Sequence, residues 1–141
     1  MRSILLVFGQ FACIGALALG GPWRLPWWSW GTLGMGLVIL LWAVFSLGGQ
    51  NLTVMPDPRN ANTLSAGGIY RWLRHPMYTA VLLCGAALAF GAPTTLRWLA
   101  LAACIMVLLL KIQFEEALLT ARHPDYAERM RGVKRLLPGV W

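Results

Sequence analysis

The chain predicts an all-α membrane protein, with about four transmembrane helices followed by a C-terminal interfacial amphipathic helix, in one membrane domain over residues 1–141. Three observations lead there. The sequence is 58% hydrophobic and 12% charged, with a mean hydropathy of +0.62, more apolar than a soluble domain, whose apolar share is about one half. Its apolar residues gather in runs close to the roughly 20 residues that cross a hydrocarbon layer of about 30 Å. Its cations are sorted by side: with four spans, Arg2, Arg59, Arg71, Arg74, Arg122, Arg129, Arg131, Lys134 and Arg135 share one face, and Arg24 and Arg97 the other. That asymmetry places both termini and the long central loop in the cytoplasm, with the protein in the plasma (inner) membrane. It also accounts for the net charge of +7 without nucleic acid as a partner.

The first span is expected at 3–20, an apolar stretch whose one notable polar side chain is Gln10. A secretory signal peptide is the competing reading of this segment, since Arg2 precedes it and Ala16-Leu17-Ala18 resembles a cleavage site. The turn that follows contains Pro22, Pro26, Trp23, Trp27, Trp28 and Trp30, an aromatic belt at one membrane face. The second span, 31–48, carries Gly31, Gly34, Gly36 and Gly48, small residues that let helices approach closely in lipid.

Residues 49–75 form the longest polar region and read as a cytoplasmic loop that covers a ligand. Pro76 suits the first turn of a third span, 76–90. After a tight turn, Thr94 or Thr95 caps the fourth, 96–114. From Glu115 onward mixed charge replaces the apolar run, so 115–141 reads as a segment lying along the interface, broken at His123-Pro124. Cys13, Cys84 and Cys104 are far apart within apolar runs and read as small hydrophobes; no metal site is expected.

Chemistry concentrates in Gly67 to Tyr78 and in Glu115-Glu116, which hold two of the five carboxylate side chains. Antiparallel spans joined by a short turn have neighbouring ends, so Arg74, His75 and Tyr78 should meet Lys111, Glu115 and Glu116 on the cytoplasmic side. Carboxylates there can accept hydrogen bonds from an amine or from hydroxyls, and Arg74 and Lys111 can hold an anion. Two structural readings stand beside this one. Lys111 and Glu115, at i and i+4, can simply pair along their helix, and His75 can simply anchor the start of its own.

The run Thr63-Leu64-Ser65-Ala66-Gly67-Gly68-Ile69-Tyr70, then Arg74-His75-Pro76-Met77-Tyr78, Glu115-Glu116, Tyr126 and Arg135-Leu136-Leu137-Pro138 resembles the isoprenylcysteine carboxyl methyltransferase and phospholipid methyltransferase families of integral membrane methyltransferases. The resemblance implies methyl transfer from S-adenosylmethionine to a lipophilic or small acceptor: a carboxylate, amine or thiol. It further implies that Asn62, Thr63, Leu64, Ser65, Tyr70, His75, Pro76, Met77, Tyr78 and Glu115 bind the cofactor and that Lys111 faces the substrate. Arg74, His75 and Glu116 are the candidate catalytic residues. Two departures bear on the acceptor and the packing: Lys111 stands where the prenylcysteine enzymes carry an arginine, and Ala80 where a glycine is common. An NADPH-dependent membrane reductase and a non-enzymatic membrane scaffold remain the alternatives.

Overall fold

The computed structural model describes residues 2–47 and 67–136. Within them the chain is helical: α1 (Arg2–Leu19), α2 (Trp27–Leu47), a 3-10 turn (Gly68–Arg71), α3 (Pro76–Gly91), α4 (Thr95–Arg122) and the single-turn α5 (Tyr126–Arg129). Among these residues no strand occurs, only one parallel bridge between Leu73 and Lys134. α2 packs along α3 and α1 along α4, and α3–α4 contacts join the two pairs.

Helix ends follow local chemistry. Pro76 opens α3, where a missing N–H costs no helical bond. Thr94 caps α4, its Oγ1 accepting from the Arg97 backbone N–H at 3.1 Å. Two boundaries differ from the expected ones. α2 begins at Trp27, because the Pro26 carbonyl already accepts from the Ser29 N–H at 3.0 Å, so three belt tryptophans lie in its first turn. α4 runs on through Glu115 and Glu116 to Arg122, because the change from apolar to charged sequence there breaks no helical hydrogen bond. The expected C-terminal interfacial helix is thereby reduced, among the described residues, to the four residues of α5.

Burial is inverted relative to a water-soluble bundle. Phe8, Phe45 and Leu99 are 70%, 81% and 64% exposed, whereas Gln10, Ser29, Arg97 and Lys111 are buried. Large apolar side chains on the outside, with a few polar groups buried beside an apolar core, suit a hydrocarbon surround. α2 and α4 are each long and apolar enough to cross a membrane, while Ser3–Leu19 and Pro76–Gly91 are shorter apolar helices. Together with α4's length of 28 residues, about 42 Å at 1.5 Å per residue, this leaves the charged last turns of α4 beyond its apolar part.

Of the small residues in α2, Gly36 makes the close approach. A Cβ there would sit 2.6 Å from Cys84 Sγ and 3.1 Å from the Ala80 carbonyl, whereas Gly31 and Gly34 face open space. The backbone of α3 at Ala80 can thus approach α2 because Gly36 opposite it has no side chain. Gly36→Val is expected to force α2 away from α3 and to cost about 1–3 kcal/mol, read as a lower unfolding midpoint in detergent; Gly31→Val should leave that midpoint in place.

Candidate active site

One end of α3 meets one end of α4 and is covered by the segment that follows α5. Backbone pairing sets this up. Arg74 N–H donates to the Lys134 carbonyl at 2.7 Å and His75 N–H to the Arg135 carbonyl at 3.0 Å. Thr79 Oγ1, one turn into α3, donates to the Leu136 carbonyl at 2.7 Å. Arg74 laces the same segment through its side chain, from Nε to the Val133 carbonyl at 2.8 Å and from Nη2 to the Met130 carbonyl at 2.6 Å. Gly68, in the 3-10 turn before it, has φ +55° and abuts Ser46 of α2, a place no other residue occupies without strain.

Successive residues on a helix point about 100° apart, so the two adjacent carboxylates of α4 face different neighbours. Glu116 is buried in a cationic ring. It lies 3.3 Å from Arg74 Nη1, 3.3 Å from His75 Nε2 and 2.9 Å from Arg135 Nη2. Glu115 is more open, 28% exposed at its side chain, and meets no guanidinium among the described residues. Its Oε2 accepts from the Tyr78 hydroxyl at 3.0 Å and lies 3.6 Å from His75 Nδ1, while its Oε1 has no partner among the described residues. His75 therefore bridges the two carboxylates, one ring nitrogen to each, and its ring stacks on Tyr78 at 5.4 Å between centroids.

Tyr70 and Tyr126 flank the cluster. Burial, reinforced by the Glu115 charge, pushes the Tyr70 phenol up to about 12, and burial with the Glu116 charge does the same for Tyr126. Both remain neutral hydroxyls at physiological pH. Pro76 is fully buried and Met77 half-buried in the first turn of α3. Lys111 lies one turn deeper than Glu115 and is almost wholly buried. Its Nζ donates to Gln10 Oε1 of α1 at 2.5 Å and stands 5.1 Å from the Tyr78 ring centroid. No ion pair joins it to Glu115 among the described residues, so the simple i, i+4 pairing is not the one adopted.

Of the residues singled out in the sequence, Tyr70, Arg74, His75, Pro76, Met77, Tyr78, Lys111, Glu115 and Glu116 thus fall at this end of the bundle; Asn62, Thr63, Leu64 and Ser65 lie outside the described residues. Two partners were not anticipated. Arg135 reaches Glu116 from a basic cluster that reads as an interfacial tail, and no spacing rule links them. Gln10 carried a signal, as the one amide in an otherwise apolar helix, but nothing pointed to Lys111.

A helical bundle with apolar outer faces and a carboxylate–imidazole–guanidinium cluster at one end defines a membrane-associated protein with a polar site at its edge. Comparison with protein families makes this specific: the phospholipid methyltransferase model matches residues 27–126, and the chain belongs to that family. Membership makes it a methyltransferase with lipid-like substrates. No curated protein and no solved structure matches the chain. α1 and Arg135 both lie outside the matched stretch, yet each supplies a partner to the cluster.

Proposed function

We propose that the protein transfers a methyl group from S-adenosylmethionine to a lipophilic or small acceptor at the cytoplasmic face of the plasma (inner) membrane, with four spans and both termini cytoplasmic. The observation that carries the proposal is the division of labour at Glu115-Glu116: one carboxylate is saturated by structural cations and the other is left with an open oxygen beside aromatic rings. That donor set fits the cofactor. A free carboxylate suits its amino group or ribose hydroxyls, and the Tyr70 and Tyr78 rings suit its base and its cationic sulfur.

When bound, the cofactor supplies an already electrophilic methyl group. The chain's task is therefore alignment and exclusion of water. Glu115 fixes the polar groups, with the Tyr78 hydroxyl holding its Oε2 in place. Glu116 holds Arg74 and Arg135, and so the covering segment, over the site. A carboxylate or thiolate acceptor needs no base, and an amine has to arrive deprotonated. Lys111 would face an anionic part of the acceptor. For a lipophilic acceptor, an apolar groove of about 230 Å³ between α1, α2 and α3 starts at Ala80, next to the site, and extends to Leu88.

Calorimetry on detergent-purified protein tests this. S-adenosylmethionine should bind and NADPH should not. Glu115→Ala and His75→Ala should each weaken binding at least tenfold while leaving the bundle folded. Parent-like binding in both variants would move the site elsewhere.

A further inference from the structure

Lys111 and Glu115 stand at i and i+4 on α4, with about 5–6 Å between their Cβ atoms, a spacing at which opposite charges pair along a helix. Apolar surroundings strengthen that attraction well beyond its value on an exposed surface. The pair does not form. The Lys111 ammonium is turned instead to Gln10 Oε1, 2.5 Å away on α1, and rests 5.1 Å from the ring of Tyr78. Tyr78 in turn gives its hydroxyl to Glu115, so the ammonium is one side chain away from the carboxylate that it leaves alone.

We infer that Gln10 is a positioning residue: it holds Lys111 off Glu115 and thereby keeps an oxygen of that carboxylate open for a ligand. The inference rests on the reading of Glu115 as the ligand-binding carboxylate. The Gln10 amide oxygen satisfies an N–H of the ammonium, as a carboxylate at the same place also would. Gln10 is itself buried, in a helix otherwise apolar between Ser3 and Leu19, and it lies outside the residues that match the family. α1 would thus contribute to a site whose recognisable residues all belong to later helices. Without Gln10, a buried ammonium that has lost its hydrogen bond turns toward Glu115, the carboxylate one helical turn along α4.

Gln10→Leu should therefore weaken S-adenosylmethionine binding about tenfold per folded molecule. The double variant Gln10→Leu/Lys111→Met, which removes the competing ammonium, should restore it. Gln10→Glu, which still holds Lys111, should bind like the parent and keeps the test available if the leucine variant does not fold. Lys111 and Lys134 are the two lysines of the chain, so nitrogen-15 spectra of lysine-labelled protein report the ammonium directly. The Lys111 Nζ resonance should move in Gln10→Leu, without any ligand. Parent-like affinity in Gln10→Leu, a double variant as weak as the single one, or an unmoved Lys111 resonance would each overturn the inference. Should the parent itself bind no S-adenosylmethionine, the proposed function fails, and the ligand-free spectra still decide where Lys111 is held.

Discussion

Glu116→Ala is expected to release the segment after α5 and to abolish cofactor binding, in contrast to Glu115→Ala, which should affect binding alone. The reason is the company each carboxylate keeps. Glu116 neutralises Arg74 and Arg135 and accepts from His75 within a buried cluster. Truncating the shared anion leaves those cations facing one another, and removal of one member of a buried charged cluster typically costs about 3–5 kcal/mol. Arg135 is 40% exposed and recovers part of its loss from solvent, which puts the expected cost near the lower end, about 3 kcal/mol.

The backbone pairing of Arg74 and His75 with Lys134 and Arg135 survives in principle, but it is short and lies at the bundle's edge. Trypsin should therefore cut the Glu116→Ala variant after Arg131 and Lys134 many times faster than the parent, while α1 to α4 stay protected. Glu116→Gln, which keeps the shape and loses the charge, should fall between the two. A cleavage rate equal to the parent's in Glu116→Ala would show that the backbone pairing and the Arg74 and Thr79 side-chain bonds hold the covering segment without Glu116.

The meeting of His75 and Tyr78 with Glu115 and Glu116 was legible from chain order, because a tight turn between antiparallel helices leaves their far ends little choice of neighbour. Pro76 and Thr94 were legible as helix starts from their own chemistry. The separate roles of Glu115 and Glu116 were not, since adjacent letters say nothing of the 100° that parts their side chains on α4. Nor was the end of that helix. At Glu115 the composition changes from hydrocarbon-like to aqueous, whereas the backbone continues until His123, before Pro124, ends α4. The Gln10–Lys111 contact spans 101 positions and obeys no local period, so it emerges only when α1 lies against α4.

Arg97 illustrates the same limit with a larger consequence. By charge counting it is a cation at the start of the fourth span, on the face opposite the site; in the fold it is fully buried in the first turn of α4. Its guanidinium donates to the carbonyls of Leu17, Gly21, Pro22, Leu88 and Ala92, at 3.0 to 3.3 Å. Leu17 and Leu88 belong to the last turns of α1 and α3, where the helix dipole is negative, so one cation joins two helix ends and the turn between α1 and α2. Arg97→Ala should cost about 3–5 kcal/mol, because it removes the guanidinium from five carbonyls at once, and of these Leu88 keeps the Ala92 N–H as a second donor. Arg97→Lys keeps the charge but has three donors on a single nitrogen and cannot span the same set, so it should lose roughly half as much. The unfolding midpoint in detergent should fall in that order, with S-adenosylmethionine affinity per folded molecule unchanged, since the 16 residues of α3 place the knot about 24 Å from the site. An Arg97→Ala protein as stable as the parent would mean that water reaches those carbonyls, and that the end of the bundle away from the site is open rather than sealed.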